Sequence, residues 1–183
     1  MLGDPAIKLI LITGMPGSGK DTLTQALRER GYKVFVMSEV LKERYSREAR
    51  PGERLMDFAF RMRKERGRGF VAELTLEKLS KDDKVVVING VRNWEEVEVF
   101  RRAGETTIIA VHSSPKSRYS RLVARGRTED MKYDDLAKRD FEELEMGIGW
   151  VIAMADYVLV NEGNVDEFIR NGVELVEKVI GDP

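Results

Sequence analysis

The stretch Gly14-Met15-Pro16-Gly17-Ser18-Gly19-Lys20-Asp21-Thr22 constrains this chain more than any other. The apolar residues 7–13 before it read as a buried parallel strand, and residues 23–30 after it as a helix that stops at Gly31. Strand, glycine-rich turn and helix in that order make a phosphate-binding loop. The glycines let the backbone curl until N–H groups point inward at phosphate oxygens. The helix N-terminus adds unpaired donors and partial positive charge. Lys20 supplies a point charge for β- and γ-phosphates. Gly14, Gly19 and Lys20 satisfy the pattern G-x-x-x-x-G-K. The magnesium-holding hydroxyl expected next is replaced by Asp21, with Thr22 one place later.

The rest of the chain must supply a sheet for that loop to end. Further strands are expected at residues 33–37, 84–89, 106–112 and 157–161, alternating with helical stretches. That alternation predicts an α/β protein: a three-layer fold whose five-stranded parallel sheet has helices on both faces. With 183 residues, a single domain spanning 1–183 is expected. Residues 38–83 hold no strand-like run and divide into three helices, broken near 50–52 and 66–69. That is far more than a crossover needs. It is expected to form a helical, hinged insertion that binds a second substrate. Asn93 with Glu96, and Asn164 with Glu167, read as helix N-caps. Tyr133, Leu136, Ala137, Phe141 and Leu144 keep helical spacing on another helix.

The net charge is −1, which gives no general attraction to nucleic acid or to an anionic membrane. The absence of cysteine excludes disulfides and thiolate metal sites. No targeting segment is recognisable and no apolar run reaches the ~18 residues a bilayer span needs. A cytoplasmic protein is expected. A single glutamine among many Glu, Lys and Arg leans towards a heat-adapted source.

Other residues carry chemistry. Where phosphoryl-transfer proteins end a strand in an acid that organises magnesium, this chain has Asn89. Asp21 is the candidate for the missing carboxylate. Arg92 would point into the ligand crevice and suits bidentate phosphate recognition. Arg118, Arg121 and Arg125 share a helix face, and Arg127 follows Gly126. Such cations, with Arg139 on the next helix, suit the developing charge of phosphoryl transfer. His112, the only histidine, reads as structural, and the basic run 61–66 as a solvated helix face or, alternatively, one that meets phosphates.

The loop resembles that of adenylate kinases, with Asp21 the departing residue. Asn89-Gly90-Val91-Arg92 resembles their Asp-Gly-Phe-Pro-Arg, one residue shorter. Ser38-Glu39-Val40-Leu41-Lys42 resembles the start of their monophosphate-binding helices, with Lys42 where they carry Arg. The segment Arg125-Gly126-Arg127 is similar to a short lid, placed at about 118–140. Nearly the whole chain, including 110–115 and 155–163, is similar to an archaeal group related to adenylate kinase and sometimes labelled dephospho-coenzyme-A-kinase-like. The resemblance implies a P-loop kinase using ATP and Mg2+. Residues 14–22 would bind ATP, Asp21 would aid the metal, and Ser38, Lys42 and Arg92 would hold the acceptor. Lys20, Arg125, Arg127 and Arg139 would act on the transferred phosphoryl. The expected reaction moves the γ-phosphoryl of ATP to a nucleoside monophosphate or a similar phosphate-bearing acceptor, dephospho-coenzyme A being one alternative. A nucleotide-dependent switch or slow ATPase with a protein or RNA partner is the other reading. Neither a membrane nor, under the kinase reading, a nucleic acid is an expected partner.

Overall fold

A computed structural model describes residues 6–125 and 133–181. Five strands, β1 (Lys8–Thr13), β2 (Lys33–Val36), β3 (Val85–Asn89), β4 (Glu105–His112) and β5 (Tyr157–Val160), form one sheet in the order β2-β3-β1-β4-β5. All four pairings are parallel. The connections are α1 (Lys20–Glu29), α2 (Met37–Glu48), α3 (Leu55–Arg66), α4 (Phe70–Leu76), α5 (Trp94–Ala103), α6 (Pro115–Ala124), α7 (Tyr133–Met146) and α8 (Ile148–Ala153), and α9 (Val165–Gly181) closes the chain.

Period-two geometry sorts the apolar strands between two cores. Leu9 and Leu11 of β1, with Val86 and Ile88 of β3, face the helices α2–α5 and α8. Ile10, Ile12 and Val87 face α1 and α9 on the other side. Helices therefore cover both faces, and the central strand β1 is buried on each, as a parallel sheet requires. The chain leaves β1 for one edge and leaves β3 for the opposite side, so the crevice opens at the carboxyl ends of β1 and β3. Two bonds fix those ends together: Gly90 N–H donates to the Ile12 carbonyl at 2.9 Å, and the Thr13 hydroxyl to the Val91 carbonyl at 2.8 Å.

Three expectations are corrected. Strand β2 ends at Val36, because Met37 turns into the core and begins α2. Helix α7 is rotated away from the face its apolar spacing suggests, sharing only Leu136 with it among the described buried residues. Leu136, Asp140 and Glu143 are buried, whereas Tyr133, Phe141 and Leu144 are exposed. His112 is exposed rather than packed. The 38–83 insertion has its three expected helices, but Phe58, Met62 and Phe70 lie in the same core as Leu9 and Leu11. Swinging it as one body would expose these side chains at about 1.5–3 kcal/mol each, so its base is anchored.

Candidate active site

The loop begins where β1 runs out at Thr13 and ends at α1, whose first residue is Lys20. No side chain caps α1, so its first-turn N–H groups keep their donors free for a ligand. Gly19 takes φ 106°, a left-handed conformation that a side chain resists, and a Cβ there would lie 2.3 Å from Asn161 Nδ2. The curl is held from outside. Arg118 Nη1 donates to the Pro16 carbonyl at 3.1 Å, Arg121 Nη1 to Gly17 at 3.2 Å, and Asn161 Nδ2 to Ser18 at 2.9 Å. A trans peptide sets its N–H opposite its carbonyl. Pulling the Pro16 and Ser18 oxygens outward therefore turns the N–H groups of Gly17 and Gly19 inward.

Arg118 and Arg121 are thus clamps on the loop rather than free cations. Arg118 is buried and grips Asp140 of α7 with two bonds, at 2.9 and 2.6 Å. The Tyr119 hydroxyl donates to the same carboxylate at 2.7 Å. Burial, then the Asp140 bond and charge, push the Tyr119 phenol up to about 12. These contacts dock α7 over the loop.

The docked helix closes a cleft of about 210 Å³, lined on one side by Gly14, Pro16, Gly17, Lys20 and Asp21. Its other walls include Arg92, Arg125, Arg139 and Glu143. Burial pulls the Lys20 ammonium below its ordinary value, opposed by Asp21 and reinforced by Arg92. An incoming polyphosphate reverses that, because each anion near the ammonium favours its charged form. Arg92 Nη1 stands 3.6 Å from Glu143 Oε1.

Asp21 and Asn89, separated by 68 residues, meet here. Asn89 Nδ2 donates to Asp21 Oδ1 at 2.8 Å and to Thr24 Oγ1 at 3.2 Å. Asn89 Oδ1 is buried without a partner, leaving an acceptor oxygen beside a carboxylate. A hydrated hard cation takes such oxygen ligands, so these residues fit magnesium without forming a cage for it. Among the described residues no group of three acids or histidines gathers as a metal site.

The other expected site residues are placed differently. Ser38 sits in the first turn of α2 and Lys42 one turn on, exposed, and neither lines the cleft. Arg125 and Arg139 line it, while Arg127 lies outside the described residues. Met15, Ser18 and Gly19 belong to the loop, and Ser18 N–H donates to the Met15 carbonyl at 3.1 Å. Thr22 lines an adjoining, more open groove of about 440 Å³ that shares Asp21 and Arg125 with the cleft. Within the basic run 61–66, Arg63 is buried at its Nε without a partner and stands 4.0 Å from Glu96, which is itself buried. Burial lowers the Arg63 pKa and raises that of Glu96. Glu143 and Arg63 escaped the sequence reading. The one usable signal was the acid pair Asp140 and Glu143, set three apart on the helix face of Leu136.

Comparison with known proteins matches this architecture. A family model described as an AAA domain matches residues 10–146. A UPF0200 protein of Sulfurisphaera tokodaii is 55% identical, covering 95% of this chain and 98% of its own length. The chain belongs to the UPF0200 family. A second member, from Staphylothermus marinus, is 39% identical over 94% of this chain and 93% of its own. Among solved structures, TT1252 from Thermus thermophilus aligns over 97% of this chain and 100% of its own with a TM-score of 0.66 at 23% identity. A gluconokinase from Sinorhizobium meliloti gives 0.62 at 16%, covering 96% and 95%. A shikimate kinase from Bacteroides thetaiotaomicron gives 0.60 at 18%, covering 95% and 98%. The fold of this UPF0200 chain is therefore that of P-loop kinases.

Proposed function

We propose that this chain is an ATP-dependent phosphotransferase acting on a small acceptor. The observation that carries the reading is the convergence of Lys20, Arg92, Arg125 and Arg139 on one cleft beside the loop. Phosphoryl transfer asks a protein for positioning and positive charge rather than covalent chemistry, and these residues offer both. The loop N–H groups and Lys20 bind the donor phosphates. Arg125, Arg127 and Arg139 meet charge on the transferred group. Arg92 holds an anionic part of the acceptor, and Ser38 and Lys42 join if α2 tilts inward. Asp21 and Asn89 would hold Mg2+, which would supply charge neutralisation on the phosphates. The resemblance of the loop to that of adenylate kinases makes a nucleoside monophosphate one acceptor to test, and dephospho-coenzyme A another. Kinase names among the structural neighbours broaden the choice to small acids bearing hydroxyl groups.

A second reading, a slow ATPase or nucleotide switch working through a partner, draws on one contact. The Asn89 amide occupies Asp21 Oδ1, so part of the one carboxylate that the described residues place at the metal position is committed. Incubation with Mg2+ and γ-labelled ATP separates the readings, using nucleoside monophosphates, dephospho-coenzyme A and small hydroxy acids singly, with Lys20→Ala as control. Label on an acceptor, absent in the control, supports the phosphotransferase. Label released only as phosphate supports the switch.

A further inference from the structure

We infer that Glu143 is the group that takes the proton from the acceptor, and that the acceptor therefore attacks through a hydroxyl rather than through a phosphate oxygen. This rests on the phosphotransferase reading above. Glu143 is more than nine-tenths buried, lines the cleft, and leaves Oε2 with no hydrogen-bond partner. A buried carboxylate oxygen without a donor is unfavourable and needs a reason. A substrate hydroxyl is such a donor. Oε1 faces Arg92, and rotation about the last side-chain bond exchanges the two oxygens.

The surroundings argue the same way. Asn89 stands where a strand-end acid would sit, so an amide that cannot accept a proton occupies that wall. Asp21 is engaged by Asn89. Glu143 is left as the carboxylate of the described cleft free to act as a base. A phosphate acceptor is already ionised and needs no base, and beside Glu143 it would meet a like charge. It would also compete with Glu143 for Arg92. A hydroxyl acceptor needs a base, and one that also carries an anionic group would use Arg92 and Arg139. The cleft's space of about 210 Å³ is shared with the terminal phosphates of ATP, which favours a small acceptor. The class is a small hydroxyl-bearing organic anion.

The step balances. The acceptor oxygen bonds to the γ-phosphorus as its O–H proton passes to Glu143. The bond from that phosphorus to the β–γ bridging oxygen breaks, and ADP leaves with the electron pair. Glu143 then releases the proton to solvent. The charged groups facing Glu143 are Lys20 and Asp21 at the start of α1, Arg92 after β3, Arg63 and Glu96 behind it, Arg125 just after α6, and Arg139 on its own helix.

Glu143→Gln keeps the shape and removes the base. Full-length wild type, Glu143→Gln and Glu143→Asp are compared with ATP and Mg2+, with water, glycerate, dephospho-coenzyme A and AMP as separate acceptors. The ATP Kd and the melting temperature, unchanged in Glu143→Gln, establish that the variant is folded and loaded. The expected result is label in phosphate esters, a kcat in Glu143→Gln reduced about 100-fold or more, the size of a general base, with KM little changed. Glu143→Asp recovers part of the rate. ATP hydrolysis, where water is the hydroxyl, falls in parallel. Transfer to AMP alone, or Glu143→Gln within fivefold of wild type on every acceptor, overturns the proposal and leaves the phosphotransferase standing. No transfer and no hydrolysis by wild type overturns both.

Discussion

Replacing Arg118 by Met tests how the phosphate loop is held. The Arg118 side chain is 4% exposed and donates to Asp140 twice, to the Ser113 carbonyl and to the Pro16 carbonyl, at 2.6–3.1 Å. Arg118→Met removes all four bonds and keeps much of the packing volume. Asp140 is then a buried carboxylate supported by the Tyr119 hydroxyl. Breaking a buried pair from one side costs about 3–5 kcal/mol. For a chain of this length each kcal/mol lowers the melting temperature by about 2–4 °C, so a fall of roughly 6–20 °C is expected by calorimetry. The Pro16 carbonyl is also released, so the Gly17 N–H loses its fixed direction. A charge-assisted bond of about 1.5–3 kcal/mol is then missing from the loop's support, and ATP affinity falls about tenfold or more. Arg118→Met with Asp140→Asn removes the stranded charge and recovers about half of the lost stability, without restoring ATP affinity. A melting temperature within about 2 °C of wild type for the single variant, or unchanged ATP affinity, refutes the clamp.

Other residues report on the same site. Gly19→Ala meets Asn161 at 2.3 Å in a left-handed conformation, so it destabilises the chain by about 2–4 kcal/mol and abolishes ATP binding, measured by denaturant melts and calorimetry. Tyrosinate absorbance should show one phenol titrating near 12, absent in Tyr119→Phe. A pKa raised by folding means that this stability is complete below the ordinary tyrosine value of 10.0 and lost as pH rises through about 12, which alkaline unfolding checks. Asn89→Asp exchanges the bond to Asp21 for repulsion, so the metal-free protein loses about 1–3 kcal/mol and Mg2+ restores it. If turnover also rises strongly the natural site is a damped enzyme, whereas binding without turnover favours the switch.

The sheet was legible because its strands have apolar centres between helical stretches, and the loop because its glycines, Lys20 and flanking elements are consecutive. Burial of β1 on both faces follows from Leu9 to Ile12 all being apolar. Long-range pairing was not legible. Asp21 and Asn89 each looked unusual, yet nothing local shows that they bond to one another. Arg118 and Arg121 looked like cations for a ligand, because a sequence does not record which way the Pro16 and Gly17 carbonyls point. The orientation of α7 was misjudged for a physical reason. Apolar spacing normally marks the buried face, but here Asp140 must reach Arg118 and Glu143 must reach the cleft, so Phe141 and Leu144 are turned outward.

The central claim is that ATP sits on the loop with its terminal phosphates against Lys20. A calorimetric titration of wild type and Lys20→Ala with ATP and Mg2+ tests it most directly. One site in wild type is expected, weakened about 10- to 100-fold in the variant, the size of a lost charge-assisted hydrogen bond. Removing the partly desolvated ammonium should also leave the ligand-free variant at least as heat-stable as wild type. No ATP binding to wild type, or equal affinity in Lys20→Ala, would contradict the claim.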